Sequence, residues 1–365
     1  MLITGATRGF IPPMNQGNAT TTRRLATVET ILDVAAIPDA DAIVRARVRG
    51  WDVVVKKGEF EIGDPCVYFE VDSMLDVADE RFTFLAARGV RTDVDGRQGH
   101  VLRTAKLRGQ YSQGLALPLG AFPELAGRLP GDDVTAALDV VKWDPPLPAE
   151  LSGQVRGPRP GWIPATDEER IQNLAAVLDC PADWIATEKI DGTSMTVYAD
   201  PESEVDGVCS RNYDLLPAEG NTLWRLAREL DLHALLRKSF PGRRAAVQGE
   251  AYGAGIQGNP LKLRDQRFSA FTLRVEGGEV ARGDWPEWAT ALSVPVRVEF
   301  AFPATVDQAL ADVDGMKSAV APGRQAEGLV WRAGDRTDVR LADGQVVRAS
   351  FKVISNRFLV KHQDS

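Results

Sequence analysis

The chain has 365 residues, 44% hydrophobic and 26% charged, with a formal net charge of −8. That length holds two or three domains with a substantial core, and the acidic balance excludes a molecule drawn to nucleic acid by its global field, though not a local basic groove. No apolar run reaches membrane-span length and no secretory leader opens the chain, while Cys66, Cys180 and Cys209 read as reduced thiols, so a cytoplasmic protein with no membrane partner is expected.

Residues 1–22 contain "TGATRGF", which has the look of a dinucleotide-binding glycine turn. Ile11–Pro12–Pro13 follows where such a turn must open a helix, so this segment is expected to be a flexible extension. Residues 23–143 then offer short strands between turns: "ATVETILDV", "AIVRARV", "DVVVKKG", "PCVYFEV", "GHVLRTAKL" and "GLALPL". Strands this short and regular suggest a small barrel, and five fit an OB fold, whose faces commonly bind oligonucleotides.

Residues 144–164 are rich in Pro and Gly and read as a linker. A helix is expected from "ATDEERIQNLAAVL", with Thr166 and Glu169 as a capping box and Ile171, Leu174 and Leu178 as its apolar stripe. Strands return from Trp184, interrupted by one further helix, "GNTLWRLARELDLHALLRKS". Residues 165–365 therefore read as an α+β domain.

The chemistry is expected to run on Lys, Asp, Glu and Arg, because only His100, His233 and His362 are present and none pairs at ligand spacing. "ATEKIDGTSMTVY" sets Lys189 in a strand–turn–strand context before Asp191–Gly192. Alone, this is as well read as a hairpin with a solvated lysine. Later elements shift the reading: Ser210–Arg211–Asn212 at a strand end, Gly249–Glu250 closing an apolar strand, Phe268 and Phe271 in "RFSAFTLRV", Glu327–Gly328 before a strand, and Lys352 in "ASFKVIS".

In this order the segments resemble the motifs of covalent nucleotidyltransferases, the superfamily of RNA ligases, DNA ligases and mRNA capping enzymes. The resemblance implies an adenylyltransferase domain with ATP-grasp-like antiparallel sheets plus helices, ATP as substrate and Mg²⁺ or Mn²⁺ as cofactor. It makes Lys189 the nucleophile that becomes lysyl-AMP, with Lys352 neutralising charge on the α-phosphate and Asp191 and Glu327 holding a hydrated metal. A free lysine titrates at about pH 10, so a second cation and a metal are needed beside it. Glu250 is implied at the ribose, Glu188 at the adenine edge, Arg211 at the phosphates or sugar, and Phe271 on the base, with Ser194 and Arg170 as further nucleotide contacts. A plain core role stands beside the stacking role for Phe271, and a solvated helix face beside the phosphate role for Arg170 and Gln172. Gly192 is expected to let the backbone bend toward the phosphates. The pattern departs from many relatives at Ser350, where a lysine is usual; Arg348 is a candidate substitute, and Thr272 replaces a common aspartate.

Domain order selects within the superfamily. The barrel precedes the catalytic domain, and little chain follows Lys352. "GWDVVVKKGEFEIGDPCVYFEVDS", "LRTAKLRGQYSQGLALPL", "TDEERIQNL" and "SFKVISNRFLVK" are closely similar to ATP-dependent RNA ligases of the Deinococcus–Naegleria type. That implies the joining of RNA 3′-OH and 5′-phosphate ends by a monomer, with Lys56, Lys57, Arg103, Lys106 and Arg108 as candidate RNA contacts on the barrel. A DNA ligase, a GTP-using guanylyltransferase, and an RNA-binding protein with an inactive catalytic remnant are the rival readings.

Overall fold

The computed structural model describes residues 23–144, 154–334, 336–342 and 344–362. The extension expected over 1–22 and most of the first half of the expected linker lie outside these. Residues 23–144 curl an antiparallel five-stranded sheet in the order Leu115–Pro118, Pro65–Phe69, Ala26–Ala36, Ile43–Val48, Trp51–Lys56. Strand alternation divides its apolar residues between two cores. Val67 and Phe69 face one with Phe122 and Leu125, whereas Cys66 and Tyr68 face the other with Trp51, Val53 and Val55. A second sheet, ordered Val141–Lys142, Ser73–Leu75, Gln98–Val101, Arg91–Thr92, closes one side.

The catalytic domain holds a seven-stranded antiparallel sheet whose centre pairs Thr193–Asp200 with Ala245–Gly253 and Gln266–Val275. A three-stranded sheet pairs Trp184–Lys189 with Gly328–Ala333 and that strand with Ser350–Ile354. Each has its own apolar core, the first covered by two short helices and the second by the helix Val306–Val313.

Three local expectations are corrected. The expected linker does not extend to 164: Val155–Pro158 pairs with Tyr213–Leu215 as an edge strand, and Ile163 is buried against the sheet. The helix expected over "GNTLWRLARELDLHALLRKS" is two, Thr222–Glu229 and Leu232–Ser239, broken where Asp231 takes φ 51°. The break lets both apolar faces, Leu223–Trp224–Leu226 and Leu232–Leu236, reach one core. Thr166 caps nothing: the α-helix expected after it is replaced by 3₁₀ turns at Ile171–Asn173 and Ala175–Asp179. The backbone groups a helix would use internally are engaged elsewhere. Glu169 O accepts from Lys352 N at 2.8 Å, and Gln172 O accepts from Gly50 N of the barrel at 3.2 Å. The apolar stripe survives, with Ile171, Leu174 and Leu178 packed in the second core.

Candidate active site

Register builds the site. Lys189 lies opposite Gly328, which puts Glu327 at the end of the neighbouring strand beside the lysine, and Lys189 Nζ donates to Glu327 Oε2 at 2.8 Å. Thr187 pairs with Val330 and Val330 with Lys352, so Lys352 and Lys189 stand on the same face of the three-stranded sheet. This close meeting demands Gly328, where a Cβ would sit 2.0 Å from Val353 O. The expected role of Gly192 changes: a Cβ there would meet Ala251 O at 2.3 Å, so the glycine lets two protein strands approach. That approach brings the central sheet's Glu250, paired with Ser194, to the lysine.

The charges form two opposed groups. Burial pushes Asp191 up to about 7, reinforced by Glu327 against the pull of Lys189. Burial pushes Glu250 up to about 8, eased by Lys189 and reinforced by Glu327 and Asp191. Burial opposes charge on Lys189 too, but Glu327 and Glu250 outweigh it and hold the ammonium above its ordinary value. The free site therefore protonates its nucleophile. On the other side, Lys352 is brought down to about 8 by burial, then by Arg170 and Lys189. Arg170 forms a parallel bridge with Lys352 and is buried over the Trp51 ring, 5.8 Å from its centroid. Its Nη1 has no hydrogen-bond partner among the described residues. A buried, unpartnered guanidinium beside two lysines suits a polyanion.

The carboxylates fit a cation. Three of them crowd one lysine, two titrating far above their ordinary range, so added positive charge relieves them. Among the described residues no three His, Cys, Asp or Glu side chains form a group that could hold a metal ion directly. The donor set thus fits an ion that keeps its water shell.

A model of an OB-fold domain matches residues 25–119, and the RNA ligase model matches residues 182–354. Among solved structures, a mutant of Naegleria gruberi RNA ligase with AMP and Mn is 38% identical at a TM-score of 0.81, covering 94% of this chain and 100% of that one. The Naegleria gruberi RNA ligase with PPi gives 38% and 0.79 over 94% and 100%, and another mutant, with ATP and Mn, gives 37% and 0.80 over 93% and 100%. The chain belongs to the RNA ligase family. No curated protein matches it. The resemblance to the Deinococcus–Naegleria type and the order of barrel before catalytic domain are borne out.

The other expected residues of the ligase fall less evenly. Glu188 is engaged elsewhere: its buried carboxylate accepts from Arg297 at 2.9 Å, from Ala319 N at 2.7 Å and from Ser318 Oγ. It latches the loop 318–319 to the strand, leaving no free carboxylate for an adenine edge. Phe271 is half-buried under the Arg332 guanidinium and packs near Ile190 and Tyr252, while Phe268 enters the core on the opposite face. Arg211 is half-exposed and holds Asp167 with both carboxylate oxygens, at 2.8 and 2.9 Å. Arg348 does not take the place of the missing lysine. It turns to Glu168 at 3.7 Å and Glu279 at 3.9 Å, and the cation beside Lys352 is Arg170.

Glu168 itself was not expected. It is buried and accepts from Arg332 Nη2 at 2.7 Å, Arg332 Nε at 3.1 Å and Ser350 Oγ. Its signal was the replacement at Ser350: a hydroxyl where a lysine is usual needs a buried acceptor. On the barrel, Lys56 and Lys57 are exposed at one hairpin, and Lys106 and Arg108 at the hairpin Ala105–Leu107/Gln110–Ser112. Val54 N donating to Ser112 Oγ at 3.0 Å ties the two hairpins together.

Proposed function

We propose that this RNA ligase uses ATP and a divalent metal to join a 3′-OH to a 5′-phosphate, with Lys189 as the nucleophile. The observation that carries this is Lys189 held between the carboxylates of Asp191, Glu250 and Glu327 and the cations Lys352 and Arg170. Relatives solved with ATP, AMP, PPi and Mn support both the nucleotide and the metal.

Three transfers follow. Lys189 Nζ gives up its proton and attacks the α-phosphorus; the P–N bond forms, the bond to the β-phosphate oxygen breaks, and pyrophosphate leaves. An oxygen of the RNA 5′-phosphate then attacks the same phosphorus, the P–N bond breaks, and the amine returns with a proton. The 3′-OH attacks the 5′-phosphorus, loses its proton, and AMP leaves. Lys352 and Arg170 face the charge that grows on the phosphates, which is where preorganised cations lower the barrier most. A bound divalent cation, held through water by Asp191 and Glu327 with Glu250 beside them, supplies positive charge that competes with Lys189 for its counter-ions. Ser194 and Phe271 supply contacts on the nucleoside side, and Arg211 a contact that requires exchange of its Asp167 pair.

Lys56, Lys57, Arg103, Lys106 and Arg108 are assigned to RNA phosphates. No helix among the described residues is long and apolar enough to cross a membrane, and all three cysteines are free, which supports work in the cytoplasm. The acting unit in this reading is one chain. The test is incubation with α-labelled ATP or GTP and metal, followed by denaturation. Label from ATP that disappears in Lys189→Ala is expected; absence of label would leave an RNA-binding protein with a dead catalytic domain. Nicked duplexes with RNA or DNA on the 3′-OH side then test substrate class, and equal sealing of both would remove the RNA preference.

A further inference from the structure

The second sheet of the barrel carries aromatic rings set among cations. Trp143 directly follows the strand Val141–Lys142, and the guanidiniums of Arg91 and Arg103 lie 5.3 and 5.9 Å from its ring centroid. Trp143 Nε1 donates to Thr92 O at 3.1 Å, which fixes the indole against the neighbouring strand. On the adjoining hairpin, Lys106 Nζ lies 4.9 Å from the centroid of Tyr111, its cross-strand partner. Core packing does not require this arrangement, for neither ring belongs to an apolar core.

The surface is continuous with the catalytic cleft. Trp143 N donates to Asp72 O at 2.9 Å, and the Asp72 carboxylate lies in the field of Arg170 and Lys352. Lys142 stands in the field of Asp167, the partner of Arg211. A strand of nucleic acid running out of the cleft on the barrel side meets these rings first.

The chemistry selects the form of RNA. Within a duplex the base faces are closed by their neighbours, and only phosphates and groove edges are presented. Aromatic rings and guanidinium planes stack on bases that are unpaired. We propose that the cluster of Trp143, Arg91 and Arg103, with Tyr111 and Lys106, binds unpaired RNA nucleotides next to the reacting end. The bases stack on the ring and guanidinium planes, and the phosphates contact the cations. The preferred substrate is then an RNA broken in an unpaired stretch. This inference rests on the end-joining activity proposed above and adds the substrate class.

The test uses the full chain and two synthetic RNAs, one a fully paired duplex with a nick and the other a hairpin broken within its loop. Rates are measured below saturation for the wild type, Trp143→Ala and Trp143→Phe. Stacking of one base sets the expected loss at about ten- to a hundredfold for the broken loop in Trp143→Ala, with recovery in Trp143→Phe and less than about a twofold change on the nicked duplex. Label transfer from ATP to each variant reports its folded catalytic domain. Equal rates for wild type and Trp143→Ala on the broken loop would overturn the inference, and so would equal losses on both substrates. A wild type that takes label but seals neither RNA would instead remove the end-joining reading.

Discussion

Lys189 donates to Glu327 across 2.8 Å, and this pair keeps the nucleophile protonated in the free enzyme. Two consequences oppose each other. Removing Glu327 frees the amine, yet it also removes a carboxylate that would hold the metal. The metal contribution is worth several kcal/mol, so Glu327→Gln is expected to slow lysine labelling by about a hundredfold or more. Chelation of divalent ions should abolish labelling of the wild type. Labelling of Glu327→Gln at the wild-type rate would show that the carboxylate serves the ion pair alone.

Asp191 and Glu250 make stability depend on pH in an unusual direction. Their ordinary values are 3.8 and 4.5, and the fold raises them to about 7 and about 8. Between pH 4 and 8 the native state therefore binds more protons than the unfolded chain, and stability falls as pH rises through that window. Without metal, Glu250→Gln and Asp191→Asn should melt higher than wild type at pH 8 and match it near pH 4. Thermal unfolding across pH measures this directly. Divalent metal should stabilise wild type more than either variant, and a wild type that gains stability from pH 5 to 8 without metal would contradict the assignment.

Glu168 ties the segment before the first strand to the last one. It is the buried acceptor for both Arg332 and Ser350. Losing it strands a guanidinium in the interior, so Glu168→Ala is expected to cost about 3 to 5 kcal/mol. Ser350→Ala removes only one hydroxyl and should cost about 1 kcal/mol. Denaturant unfolding of the two variants tests the ordering; a larger loss in Ser350→Ala would assign the anchoring to the hydroxyl.

The nucleophile and its carboxylates were legible in the sequence because each sits at a strand end, where order along the chain and antiparallel pairing leave few ways to assemble them. Phe268 and Phe271 were placed on opposite faces by alternation alone. The stretch after Thr166 was misread for a physical reason. Its capping residues and apolar spacing satisfy a helix, but Lys352 N and Gly50 N take its carbonyls, and such partners lie far away in sequence. Glu188 shows the same limit. Nothing near it announces that Arg297, Ser318 and Ala319 will close on its carboxylate.

The barrel also bears on the phosphate cations, through Gly50. A Cβ at this position would lie 2.8 Å from Gln172 Cα and 2.9 Å from Gln172 O, both backbone atoms with little freedom to yield. Two residues earlier stands Arg170, over the Trp51 ring and bridged to Lys352. Trp51 Nε1 also donates to Asn173 Oδ1 at 2.7 Å, so the segment is gripped on both sides of the contact. Gly50→Val must push 170–173 away from the barrel and shift the guanidinium from the place where phosphate charge develops. A displacement of about 1 Å can cost a hundredfold in rate, so lysine labelling at saturating ATP should fall about ten- to a hundredfold. Lys57→Ala, on the exposed hairpin nearby, gives the comparison for a barrel substitution that leaves this contact intact. Full labelling by Gly50→Val would mean that the barrel docks without influencing the adenylylation step.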